Sequence, residues 1–140
     1  MPQEINDECI ESTTARIITC TGKRCSIRFL NRSRRNILKI LVDDCAIKDG
    51  LRCDYLVKSD NNRIEHFVEL KGSDVNHAIR QIVSTIQALS VNPRIGIKHS
   101  YVIANRIPLA TPSIQHYKAL FKDSYNSSLT LKSREFEVPL

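Results

Sequence analysis

The apolar period of this chain changes from strand to helix near its middle, and that change restricts the fold more than any other feature. Residues 64–71 (Ile-Glu-His-Phe-Val-Glu-Leu-Lys) carry apolar side chains on both faces, the pattern of a strand at the centre of a sheet. After Gly72-Ser73 the spacing becomes helical: Val75, Ala78, Ile79, Ile82, Val83, Ile86 and Leu89 share one broad face through about residue 90, behind Asp74 as N-cap. Asn92-Pro93 and Gly96 end that helix, and His99 to Asn105 read as a short buried strand closed off before Pro108. Strand, crossover helix and strand close most simply with the two strands parallel, by the right-handed rule. An α/β chain follows.

Upstream, turn chemistry divides the sequence into antiparallel runs. Lys48-Asp49-Gly50 and Asp60-Asn61-Asn62 separate three predicted strands, at about 36–47, 51–58 and 64–71. Residues 24–30 alternate Cys25, Ile27 and Phe29 against Ser26 and Arg28, which predicts a half-buried strand. Residues 3–18 place Ile5, Cys9, Ile10, Ala15, Ile17 and Ile18 among acids and threonines, and a helix is expected there. Thr111-Pro112-Ser113 opens a second helix running to about Asp123, and residues 129–138 alternate as a last edge strand. The expected fold class is α/β, a central mixed β-sheet flanked by helices. The length of 140 residues fits one domain over residues 1–140.

The formal charge of +6 favours a polyanionic partner through charge neutralisation and counterion release, although a mildly basic soluble protein has the same composition. Five cysteines (Cys9, Cys20, Cys25, Cys45, Cys53) form no Cys-x-x-Cys pair and stand near no His at zinc spacing. Reduced, partly buried thiols in a cytoplasmic protein are expected rather than disulfides or a structural metal. The opening residues lack the basic and apolar regions of an export signal, and no run is long enough to span a bilayer, so no membrane partner is expected. His66, His77, His99 and His116 lie far apart and read as surface or packing residues.

Chemistry concentrates at Asp54 and at Glu69-Leu70-Lys71. Strand alternation puts Glu69 and Lys71 on one face, and Asp54 lies in the paired strand within Leu51-Arg-Cys-Asp-Tyr-Leu-Val. Charges embedded in apolar strands cost several kcal/mol unless they meet a partner, a metal or water. Magnesium takes one or two carboxylates plus waters and phosphate oxygens and lowers the pKa of a bound water. Asp54 and Glu69 are therefore candidate metal ligands with the Leu70 carbonyl as a further one, and Lys71 is the cation that would orient water or meet charge developing on phosphorus. A structural ion-pair cluster is the competing reading. An acid-x-Lys triplet arises about once by chance in a chain of this composition, so the weight rests on its setting: strand end, upstream Asp, following helix.

Asp54, Glu69-x-Lys71 and the strand-strand-helix-strand order resemble the PD-(D/E)XK phosphodiesterase superfamily of restriction endonucleases, archaeal Holliday-junction resolvases and many antiphage or repair nucleases. The resemblance covers about residues 36–106, with Cys53 where a Pro often precedes the first acid. It implies a restriction-endonuclease-like core, dependence on Mg²⁺ or Mn²⁺, and hydrolysis of phosphodiester bonds in nucleic acid, with DNA the expected substrate. It also implies a catalytic place for Gln81, ten residues after Lys71 on the helix, and an extra acid from a first helix, for which Glu4, Glu8 and Glu11 are candidates on one helical face. Arg32, Arg34, Arg35, Lys98 and Arg106 are the candidate phosphate-tracking cations. A homodimer is expected because one such domain offers little surface to grip a duplex. The alternatives are a catalytically inactive nuclease-like module that binds nucleic acid or a protein partner, and a junction resolvase.

Overall fold

The computed structural model describes residues 2–61, 63–71, 74–107 and 112–140; the side chain of Lys71 lies outside the described part. Nine strands and two α-helices are described. The strands are β1 (Ile10–Thr13), β2 (Ile17–Thr21), β3 (Ser26–Leu30), β4 (Ile37–Leu41), β5 (Tyr55–Ser59), β6 (Ile64–Lys71), β7 (Ile97–Ala104), β8 (Ser127–Ser133) and β9 (Glu135–Pro139). The helices are α1 (Val75–Leu89) and α2 (Pro112–Tyr125). A mixed six-stranded sheet runs β1-β4-β5-β6-β7-β8, and a second sheet runs β2-β3-β9.

The centre of the large sheet is the predicted one. Strands β4, β5 and β6 pair antiparallel in sequence order, and β7 lies parallel beside β6, with Glu69 opposite Val102 and Lys71 opposite Ala104. Asp74 caps α1 by accepting the His77 N–H at 3.0 Å. Ile79, Ile82, Ile86 and Leu89 of α1 are buried against Leu56, Phe67 and Val102, and α2 adds Phe121 to the same cluster. Burying each such side chain contributes roughly 1.5–3 kcal/mol. Both helices therefore cover one face of the six-stranded sheet. The opposite face carries Val57, Val68, Leu70, Tyr101 and Ile103, packed against Ile18, Cys20, Ile27 and Phe29 of the small sheet.

Three expectations are corrected. Residues 3–18 form no α-helix; a short 3₁₀ turn at Asp7–Cys9 leads into β1 and β2. Its threonines and isoleucines are β-branched and stiff at χ1, which suits a strand that can bury one face. The run 129–138 is two strands in different sheets, split where Arg134 adopts φ 67°. The thiols are not all reduced: Cys9 and Cys45 form a disulfide that ties the start of β1 to the loop after β4, while Cys20, Cys25 and Cys53 are buried thiols. Among the described residues no helix is long and apolar enough to cross a membrane.

Candidate functional site

Asp54 sits where the pairing of β5 with β6 stops being regular. Tyr55 faces Val68 in the ladder, so the next step outward brings Asp54 beside Glu69. The Asp54 N–H donates to the Val68 carbonyl at 3.0 Å, and its carbonyl accepts the Val42 N–H at 2.9 Å. Its carboxylate stands in for a ladder carbonyl: the Leu70 N–H donates to Asp54 Oδ2 at 2.7 Å. That bond ties Asp54 to the residue between Glu69 and Lys71.

Helix α1 fixes the approach to this strand. Thr85 Oγ1 accepts the Cys53 N–H at 2.8 Å and donates to the Gln81 carbonyl at 2.8 Å, while Gln81 Nε2 donates to the Arg52 carbonyl at 2.9 Å. Two consecutive backbone groups ahead of Asp54 are thus held by side chains one helical turn apart. Gln81 Oε1 is buried with no hydrogen-bond partner among the described residues. The side chain placed near the site by sequence thus touches the backbone behind Asp54.

Glu69 is 1 % exposed and shares its strand face with Phe67, toward α1. Two thiols locate the charges electrostatically. Burial pushes the Cys53 thiol well above its ordinary range, and the carboxylates of Glu69 and Asp54 push it the same way. On the opposite face burial raises Cys20 to about 12, with Lys39 pulling it down and Asp54 and Glu11 adding to the rise. Asp54 is thus near enough to a thiol on each face of the sheet to add to its rise. Of the three candidate acids, Glu4 precedes the 3₁₀ turn, Glu8 lies in it, and Glu11 lies on β1 opposite Lys39. Glu11 is the one whose charge reaches the thiol that Asp54 also reaches. With Lys39 and Tyr55 it lines a hollow of about 250 Å³.

From the other side Gly22 presses on the triplet. A Cβ built there would stand 2.8 Å from Leu70 Cβ and 3.5 Å from the Leu70 carbonyl oxygen, so only glycine lets the β2–β3 turn approach this closely.

The predicted cations divide between the two ends of the sheet. Arg106 is exposed just beyond Ala104, at the end that holds Glu69. Arg32, Arg34 and Arg35 are exposed in the loop before β4, whose first residue pairs with Ser59, so they stand at the far end, on the order of 13 Å along β5 from Tyr55. Lys98 is not a surface cation: it is 1 % exposed, and its ammonium donates to the carbonyls of Gly96 at 2.5 Å and Tyr125 at 2.8 Å. Sequence reasoning missed the exposed cations that gather at the Glu69 end. Lys23 and Arg24 occupy the turn beside Leu70, and the Arg134 N–H donates to the Ala104 carbonyl at 2.8 Å. Alternation within the terminal run could not reveal Arg134, because a reversal of φ there swings it beside the site.

Among the described residues no group of three or more His, Cys, Asp or Glu side chains is arranged to hold a metal. Asp54 and Glu69 are the residues here that could hold magnesium, which asks for one or two carboxylates with water and substrate oxygens completing its shell.

The chain matches no protein-family model, no curated protein and no solved structure.

Proposed function

We propose that the protein is a metal-dependent nuclease of the PD-(D/E)XK type, hydrolysing phosphodiester bonds in DNA with Mg²⁺ or Mn²⁺, and working as a homodimer in the cytoplasm. The observation that carries the reading is the Leu70 N–H to Asp54 Oδ2 bond. It joins an aspartate on one strand to a Glu-x-Lys triplet on the next, at the strand end from which the crossover helix departs. The cations Lys23, Arg24, Arg106 and Arg134 around that end suit a phosphate backbone.

In this reading Asp54, Glu69 and the Leu70 carbonyl would hold the ion. When bound it supplies a Lewis acid and a water of lowered pKa. The protein's part is positioning. Asp54 is locked by its own backbone bonds and by Leu70, Gln81 and Thr85 set the strand ahead of it, and Lys71 is the cation for charge developing on a phosphate oxygen. The Cys9–Cys45 bond would be open in a reducing compartment, so cytoplasmic residence goes with the dithiol form.

The burial of Glu69 favours a second reading, a nuclease-like module that binds without cutting. One experiment separates the two: cleavage of linear, circular and four-way-junction DNA and of RNA, with and without magnesium, by the wild type and by Lys71→Ala. Metal-dependent cutting that Lys71→Ala abolishes supports the nuclease, and preference for the junction narrows it to a resolvase. Salt-dependent binding with no cutting of any substrate supports the silent module.

A further inference from the structure

At the far end of β5, β6 and β7 the two sheets part and leave a cavity of about 300 Å³. That volume is at the lower end of the range of roughly 300–1,000 Å³ seen for small-molecule sites. The lining of the cavity includes Ile37, Val57, His66 and His99 from the large sheet, Pro139 from the small one, and Arg35 and Arg63. No Asp or Glu is among its described lining residues; Asp60 stands on the exposed turn beyond β5. Lys58 and its register neighbour Glu65 belong to the helix-covered face, where Glu65 accepts from Ser90 Oγ at 2.5 Å and from the Val91 N–H at 3.1 Å. The described lining thus joins apolar side chains to two arginines and two imidazoles and includes no carboxylate.

Its two imidazoles are built in. His66 and His99 stack with ring centroids 5.3 Å apart, and the Nδ1 atoms are engaged, His66 with Tyr101 Oη at 2.9 Å and His99 with Ser128 Oγ at 2.8 Å. Burial lowers the pKa of His66 to about 3 and lowers that of His99 as well, so both rings are neutral at pH 7. Burial raises the Tyr101 phenol, which keeps its proton and can donate it to His66 Nδ1. In that tautomer Nε2 of His66 carries the remaining N–H, a donor suited to an anion. Arg35 and Arg63, both exposed at the rim, supply planar charged donors that match phosphate oxygens.

We propose that this cavity binds a small phosphate ester with a flat ring, of the size of a nucleoside monophosphate. The phosphate meets Arg35 and Arg63 at the rim, and the ring lies inside against the stacked imidazoles and the apolar side chains beside them. The site is independent of the nuclease reading. It opens between the sheets at Ile64 and His66, whereas Glu69 lies five residues further along β6 than Ile64, about 17 Å away, on the face toward α1.

Calorimetry on the whole chain tests this with adenosine 5′-monophosphate, ribose 5-phosphate, inorganic phosphate, adenosine and a short DNA duplex. The expected result is binding of the monophosphate at least about tenfold tighter than inorganic phosphate. Arg35→Gln and Arg63→Gln should each weaken it about tenfold or more, and His99→Ala should reduce it to the level of ribose 5-phosphate. Both arginines are exposed, so a retained melting temperature certifies the variants. Inorganic phosphate binding as tightly as the monophosphate would overturn the ring's part in the proposal. Binding of the duplex alone, no binding of any probe at millimolar concentration, or binding that ignores both arginine substitutions would overturn the site.

Discussion

Strands β5 and β6 carry buried charge at both ends, and the two ends resolve it differently. At the far end a row across three strands alternates in sign: Lys58 lies opposite Glu65, and Glu65 opposite Lys98. Glu65 also accepts two hydrogen bonds at the end of α1, and Lys98 donates to the last carbonyl of α2, where the helix dipole is negative. Burial pulls both lysines below their ordinary pKa and the field of Glu65 pulls them back. Four residues along β6, Asp54 comes beside Glu69 and the next strand offers Val102. There the sign repeats. Adjacent carboxylates in an apolar setting raise each other's energy, and the proposed metal site draws on that feature. What distinguishes the two ends is the order of signs across the strands.

The sharpest way to break that contrast is to neutralise the two glutamates in turn. Glu69→Gln should cut metal-dependent cleavage at least about a thousandfold, near 4 kcal/mol of transition-state stabilisation, with little loss of folding free energy. Glu65→Gln should do the reverse, leaving cleavage in place while costing about 2–3 kcal/mol of stability, because two buried lysines lose their counter-charge. Cleavage assays beside urea titrations of both proteins decide the matter. Equal losses of stability with no difference in cleavage would mean that both ends are structural.

The disulfide sharpens the comparison from the side of the fold. Cys45 lies in the loop that begins at Val42, whose N–H donates to the Asp54 carbonyl, so the cross-link braces the Asp54 end. Reduction, or Cys45→Ser, should cost about 2–4 kcal/mol, as closure of a loop of this length implies. Hydrogen exchange should rise first at residues 42–54 and leave the amides around Glu65 and Lys98 protected. Uniform loosening would show that the bond supports the whole molecule and not one end.

The far end should respond to pH. His66 has a folded pKa of about 3 against an ordinary 6.5, so between those values the unfolded chain binds more protons. Its contribution is complete above pH 6.5 and is lost as pH falls toward 3; from pH 7 to pH 5 about 2 kcal/mol should go. The lowered His99 acts in the same direction. Urea midpoints of wild type and His66→Gln across that range measure it. The two curves running parallel would remove the imidazole from the account.

How much of this could be read from residues alone depended on what each signal encodes. The β6–α1–β7 unit was legible because a change of apolar period, an Asp cap and a Pro-Gly break all pointed the same way. Glu69 was legible as a charge inside an apolar strand, whereas Asp54, expected within a strand over 51–58, stands just ahead of β5, and the side chain of Lys71 lies outside the described part. The two-sheet architecture was not, since β2, β3 and β9 meet across more than a hundred residues and local alternation carries no record of which strand pairs with which. The Cys9–Cys45 pairing was hidden for the same reason. Lys98 misled because a lysine at a strand start looks like a surface residue until α2 brings the Tyr125 carbonyl to it.

Thr85 gives the smallest expected effect and the most specific one. Inside α1 its hydroxyl donates to Gln81 one turn back, a bond that does little for the helix, yet the same oxygen accepts the Cys53 N–H and so anchors the residue before Asp54. Thr85→Val keeps the volume and the β-branch but leaves that N–H unmet, which should cost about 1–2 kcal/mol. If Asp54 acts through its position, cleavage should fall by roughly tenfold in kcat beyond what the loss of stability explains, because a displacement of about an ångström is enough for such a loss. Thr85→Ser, which keeps the hydroxyl, should restore it. A Thr85→Val protein that is less stable yet cuts at the wild-type rate would show that the anchor holds the fold together and leaves the carboxylates where they were.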